Sequence, residues 1–189
     1  MKKFLAILFL GLLLFNDLSA DEYLKASNFI NEFNQDISKT LVDDLYSPEV
    51  DKKVNELIYK NFDVKGIGIY SINKYKTKYK KKKINDYNKY FKEYFVKSLK
   101  KRILKISSES KIISQLIIND KYTLVNSEFQ NLKMTWRVYT KDPNNFLIRD
   151  IVIDNLSLAK TTKKEFETIL EKNNFDLEIL INMLKKEVN

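Results

Sequence analysis

The chain contains no cysteine and no histidine. Disulfides, thiolate nucleophiles, iron–sulfur clusters and cysteine-type zinc sites are therefore excluded, and the commonest metal ligand and general base is missing too. Glycine occurs three times and proline twice in 189 residues. Dinucleotide-binding and Walker-type phosphate loops need glycines at fixed spacing so that backbone can approach phosphate, and these also fall away. No apolar run approaches the roughly 20 residues needed to span a bilayer. What the chain does have is core material: 44% of residues are hydrophobic and 13% aromatic, against 31% charged. That balance supports one folded domain, or at most two small ones.

The net charge is +9. Such an excess suits nucleic acid, an anionic membrane surface or an acidic partner. An AT-rich coding background, visible in the abundance of Lys, Asn and Ile, supplies lysine without any function attached to it. The N-terminus narrows the choice. Met1-Lys2-Lys3 precedes an unbroken apolar run over residues 4–15, then Asn16-Asp17-Leu18-Ser19-Ala20. A basic start, a twelve-residue apolar stretch and a small residue form a secretory leader, with cleavage expected near Ala20. Residues 21–189 are then a single exported α+β domain, and export weakens the nucleic-acid reading.

Apolar positions Phe29, Ile30, Phe33, Ile37, Leu41 and Leu45 recur every three or four residues and predict a helix over 22–45. Ser47-Pro48 caps and opens a second helix with Val50, Val54, Leu57 and Ile58 on one face. After Asn61-Phe62-Asp63 a third helix carries Ile67 and Ile72, weakened by its two glycines. Lysines 74, 76, 78, 80, 81, 82 and 83 follow, interleaved with Tyr75 and Tyr79. Charges this dense mark a solvated turn or a helix end that meets something negative. Tyr87, Tyr90, Phe91, Tyr94, Phe95, Leu99 and Ile103 then give the strongest helical periodicity in the chain, with an unusually aromatic stripe.

Beyond Ser107 the period changes to two. Residues 111–118, 122–129, 132–140 and 146–154 read as four strands joined by short turns. In the third, Leu132, Met134, Trp136 and Val138 share one face. Short connections make the sheet antiparallel, with one wet face. Asp142 and Asn144 imitate calcium-loop spacing, but no glutamate completes a site and turn chemistry explains them. Thr162-Lys163-Lys164-Glu165 has the form of a capping box for a further helix, Asn173-Asn174 stops it, and Asp176 caps a last one. The plan is α+β: a twisted antiparallel sheet of about four strands packed against amphipathic helices.

The order of these elements, and the residues in them, resemble a known family. Trp136-Arg137-Val138-Tyr139, the stretch 146–158 containing Asp150, Asp154, Leu156, Ser157 and Leu158, and the helical residues 166–184 are similar to the C-terminal signature of the MlaC, or toluene-tolerance, family. Phe62-Asp63-Val64 and the Phe91-Lys92-Glu93-Tyr94-Phe95 run resemble its helix pair. Asn155 stands where the family usually has glycine, and lysines fill a loop that is less basic there. The resemblance implies a periplasmic phospholipid-binding component of an ABC lipid transport system that maintains outer-membrane lipid asymmetry. It implies partners at an inner-membrane ABC transporter complex with its substrate-binding subunit, and at an outer-membrane lipoprotein complex.

A carrier of that kind needs a dry cavity near 1,000 Å³. We expect it between the apolar sheet face and the aromatic helix stripe. The helices would contribute Ile67, Ile72, Tyr87, Phe91, Tyr94 and Phe95, and the sheet Ile118, Met134, Trp136, Val138 and Ile148, all as acyl-chain wall. Taken singly, each of these reads more readily as ordinary core than as pocket wall. Lys74, Lys76, Lys78, Lys80, Lys81, Lys82 and Lys83 would contact an anionic membrane or dock a partner. No cofactor, metal or catalytic residue is expected. Two other readings remain at this stage: a small exported enzyme using Asp63, Asp150 or Asp154 with Tyr or Lys, and a basic protein that binds anionic polymers or membrane surfaces.

Overall fold

A computed structural model describes residues 17–41, 47–103, 110–129 and 131–188, with side chains from residue 24 onward apart from residue 101. The leader expected over 1–20 lies outside the described residues as far as residue 16. Helix α1 spans Asp17–Thr40, α2 Pro48–Asn61 and α3 Val64–Ser71. A short 3-10 turn at Lys76–Lys78 leads into α4, Lys81–Ile103. Strands β1 (Lys111–Asn119), β2 (Tyr122–Phe129), β3 (Leu132–Tyr139), β4 (Leu147–Ile153) and a two-residue β5 (Leu156–Ser157) follow in chain order and in sheet order, each antiparallel to the last. Helices α5, Leu158–Lys172, and α6, Leu177–Val188, complete the chain. Among the described residues no helix is long and apolar enough to cross a membrane.

The helix starts follow their caps. Ser47 Oγ accepts from Val50 N at 3.1 Å, and Asp63 Oδ1 accepts from Gly66 N at 2.8 Å. Helix α5 departs from expectation. It starts at Leu158, where Ser157 Oγ accepts from Lys160 N at 3.0 Å. Thr162 lies one turn inside and donates to Leu158 O at 2.9 Å, so the sequence that imitates a capping box is helix interior. The turn before it needs left-handed backbone at Asp154 (φ 47°) and Asn155 (φ 67°), a conformation these side chains tolerate better than most.

On the inner sheet face Val125, Met134, Trp136, Val138, Ile148 and Ile151 are buried. Trp136 Nε1 donates to Ser127 Oγ at 2.8 Å, which satisfies the one polar atom that this large ring carries inward. Helix α1 lies across β1 and β2, α3 and α5 lie against β4, and α4 runs along α6. One chain of ring contacts joins the layers. Trp136 meets Phe33 of α1 at 6.0 Å, Phe33 meets Phe62 at 5.6 Å, Phe62 meets Phe95 of α4 at 5.9 Å, and Phe95 meets Phe91 at 5.8 Å. Beyond Phe91 the rings of Tyr87, Tyr94 and Phe166 continue the contact into α5.

The close approach of α3 to α4 rests on Gly68. A β-carbon there would lie 2.6 Å from Cδ1 of the buried Phe91 ring. Overpacking a core costs about 1–3 kcal/mol, against roughly 1 kcal/mol gained when alanine replaces glycine in a helix. Gly68→Ala should therefore lower stability by up to about 2 kcal/mol in urea unfolding, and Phe91→Leu in the same chain should recover part of the loss.

Candidate functional site

The acyl-wall residues named from the sequence fall into two groups. Met134, Trp136, Val138 and Ile148 line the inner sheet face, with Phe95 reaching them through Phe62. Tyr87, Phe91 and half-buried Tyr94 face α5 instead, around Phe166, at ring separations of 5.8–6.4 Å. Ile67 is buried in the middle of α3 and Ile72 just past its C-terminal end. The aromatic stripe of α4 thus turns toward the helical layer in its N-terminal half and toward the sheet only in its C-terminal half. Ile118 is placed differently. It is 47% exposed on β1, the edge strand, where register shifts at Ile112/Ser114 and Ile117/Asn119 break the alternation and only Gln115 is buried.

These side chains fill the space they were expected to enclose. The crevice left between α1, α4 and the sheet, walled by Phe33, Ile37, Leu99, Ile103, Trp136 and Ile151, amounts to about 10 Å³. Acyl tails can enter there only if the layers part. Most of the contacts that would give way are apolar and ring-to-ring, which methylenes can replace, while the buried hydrogen bond from Ser27 Oγ of α1 to Gln115 Oε1 of β1, 2.7 Å, ties the N-terminal half of α1 to the sheet edge.

A wider recess opens on the other side of β4. It measures about 220 Å³ and lies between Asp63, Gly66, Ile67 and Tyr70 of the α3 region, Tyr122, Arg137, Arg149 and Asp150 of the sheet, and Ala159 and Lys160 at the start of α5. Its construction begins at Phe62, which bridges Ile148 beside β4 while Asp63 N donates to Ile148 O at 3.0 Å. Pairing of β3 with β4 shifts register between Arg137 and Val138, so Arg149 is an extra residue opposite that step. The shift delivers its guanidinium to the recess, where Nε donates to Asp63 Oδ2 at 2.8 Å and Nη1 donates to Tyr122 Oη at 2.6 Å. Its Cζ stands 4.0 Å from the Tyr139 ring centre, and that of Arg137 stands 4.3 Å from the Tyr122 ring centre. The carboxylate of Asp150 is engaged at the start of α5: Ser157 Oγ and Ala159 N donate to it at 2.6 and 2.9 Å. Asp63 and Asp150, two of the three acids considered for catalysis, are thus both engaged in holding helix starts in place, and the third, Asp154, sits in the left-handed turn before β5.

Reading along the sequence picked out neither arginine. A signal was available: the chain has three arginines among 34 basic residues, and two of them meet here. The lysine run is held at both ends. Lys74 Nζ lies 2.8 Å from Glu171 and Lys83 Nζ 3.3 Å from Asp176, and the Glu171 carboxylate also accepts from Tyr75 Oη. Hydrogen bonds from Lys74 and Tyr75 keep the Glu171 carboxyl below its ordinary range, and hydrogen bonds from Glu178 N and Lys83 do the same for Asp176. Lys78 stands 3.8 Å over the Phe175 ring. Among the described residues Lys76, Lys80, Lys81 and Lys82 are exposed and form no ion pair.

The described residues form a curled antiparallel sheet closed by helices over an aromatic interior, with a cationic recess at one side. The chain belongs to the MlaC family, whose model ("MlaC protein") matches residues 31–186. Its fold is similar to that of a phospholipid-binding protein from Ralstonia solanacearum solved in complex with a phospholipid. The two share a TM-score of 0.68 and 16% identity, over 88% of this chain and 96% of that one. No curated protein matches the sequence.

Burial pushes the Tyr87 phenol well above its ordinary value of about 10. Its hydroxyl donates to Gly68 O at 3.1 Å. The folded pKa exceeds the unfolded one, so this contribution to stability is complete below about pH 10 and is lost as pH rises from there. Tyr87→Phe should cost roughly 1 kcal/mol at pH 7, and its urea midpoint should fall less steeply than the wild type's between pH 9.5 and 11.

Proposed function

We propose that this chain is an exported carrier that accepts one phospholipid between its sheet and its helices and passes it between membrane complexes. Membership of the MlaC family is the observation that carries this reading. The phospholipid bound by a protein of the same fold agrees with it. The physical need is clear. A diacyl lipid hides about thirty methylenes, and at about 0.8 kcal/mol each its escape into water costs on the order of 20 kcal/mol. Transfer from bilayer to protein exchanges one apolar surrounding for another, so the net free energy can lie near zero and loading remains reversible.

Residues 21–189 form the lipid-binding unit, working in the periplasm after removal of the leader. Ile67, Phe91, Phe95, Met134, Trp136, Val138 and Ile148 meet the tails once the layers separate. Lys76, Lys80, Lys81 and Lys82 present their charge to an acidic partner or to anionic lipid, each worth about 1 kcal/mol near such a surface. The partners are an inner-membrane ABC transporter complex with its substrate-binding subunit and an outer-membrane lipoprotein complex, and the outcome is maintenance of outer-membrane lipid asymmetry. ATP is used by the transporter, not here.

Native mass spectrometry of the mature chain purified without detergent tests the binding step. One phospholipid per chain is expected, together with uptake from phosphatidylethanolamine and phosphatidylglycerol vesicles by delipidated protein. Protein that is lipid-free from every preparation, and that takes nothing from vesicles, would overturn the carrier reading.

A further inference from the structure

We propose that the recess beside β4 is a binding site for a phosphate ester, with Arg137 and Arg149 as its ligands. The proposal rests on the carrier reading for the source of that phosphate, which is the headgroup of the bound lipid.

Charge comes first. Both carboxylates in the recess are already used: Asp63 by Gly66 N and Arg149, and Asp150 by Ser157 and Ala159 N. Arg149 commits Nε and Nη1, which leaves Nη2 without a hydrogen-bond partner among the described residues. Arg137 makes no ion pair and no hydrogen bond through its side chain among the described residues, and it is held only by the Tyr122 ring 4.3 Å from its Cζ. Lys160 adds a third positive charge at the rim, also without an ion-pair partner among the described residues. The uncommitted groups are therefore donors, and the complement they lack is an oxyanion.

Residue type argues in the same direction. A compositional bias toward lysine explains the basic surface elsewhere but not two arginines at one point. A planar guanidinium stacks on an aromatic ring and offers paired N–H groups to phosphate, which an ammonium cannot do. Tyr122 and Tyr139 provide that stacking and fix the directions of both forks.

Size and position complete the argument. The recess of about 220 Å³ is too small for a diacyl lipid, yet it holds roughly seven waters' share of volume, which suits a phosphate and its immediate substituents. Its wall includes Ile67, which is 3% exposed and also belongs to the buried core. A ligand with its phosphate on the arginines thus has an apolar contact available at Ile67.

The test uses the mature chain and two probes. In the first, delipidated protein is loaded from phosphatidylethanolamine–phosphatidylglycerol vesicles doped with dioleoylglycerol, which has the tails without the phosphate. The bound phospholipid-to-diacylglycerol ratio should fall about tenfold in Arg137→Gln relative to wild type, as expected for loss of a charge-assisted contact. Lys133→Gln, an exposed change on the same strand outside the recess, should leave the ratio unchanged. In the second, glycerol 3-phosphate is titrated into lipid-free protein by calorimetry. Weak binding that Arg137→Gln abolishes, with the lipid ratio unmoved, would uphold the site but assign it to a soluble phosphate ester. An unchanged ratio together with glycerol 3-phosphate binding that is absent or insensitive to Arg137 would overturn the proposal. Wild-type protein that takes up neither lipid would defeat the carrier reading, and the calorimetric arm would still decide the site.

Discussion

Two neighbouring residues, Phe62 and Asp63, carry the constraint on which the rest of the molecule depends. They lie between α2 and α3 and run beside β4, bridged to Ile148. The Phe62 ring goes inward, between Phe33 of α1 and Phe95 of α4, and so joins the layer over the sheet to the helical layer. The Asp63 carboxylate goes the other way, starting α3 and holding Arg149. Because one backbone step fixes both, the packing of the apolar interior and the shape of the cationic recess cannot vary independently. Movement that parts α4 from the sheet pulls on Phe62, and hence on the segment that positions Arg149.

The interior is nearly solid, yet it is solid in a particular way. Its large components are rings in edge-on, tilted and stacked contact, joined end to end from Trp136 to Phe166. Such pairs contribute only about 0.5–1.5 kcal/mol each beyond their buried area. A run of individually modest contacts can be exchanged for contacts with methylenes one at a time, whereas a buried ion-pair network would have to be broken at once. That these ring contacts carry no charge therefore matters as much as their aromatic character.

Much of this was legible in the sequence, for identifiable reasons. The alternation of Met134, Trp136 and Val138 fixes a strand face because the pleat has period two, and Ser47-Pro48 fixes a helix start because its chemistry is local. Ile118 escaped because it sits on an edge strand with two register shifts, and alternation says nothing about which strand is left uncovered. Thr162 misled because a capping box looks the same one turn inside a helix that Ser157 has already begun. The direction of the α4 stripe was not readable either, since spacing shows that Tyr87 and Phe91 share a face but not whether that face meets the sheet or α5. Arg149 was the least accessible of all: its place in the recess follows from a register shift against Arg137, a property of two strands together.

The ion pairs and buried phenols described above have one further effect, on how the molecule responds to acidity. With no imidazole and no thiol, the side chains have no ordinary proton exchange near neutrality. The shifts that the fold imposes all widen that gap: the carboxyls of Glu171 and Asp176 move down, while the phenols of Tyr59, Tyr75, Tyr79, Tyr87 and Tyr94 move up. Glu171 and Asp176 therefore stay charged, and these phenols stay neutral, across the whole neutral range. The contact that joins Lys74, Tyr75 and Glu171 at one end of the lysine run is thus held alike in mildly acidified and in mildly alkaline surroundings.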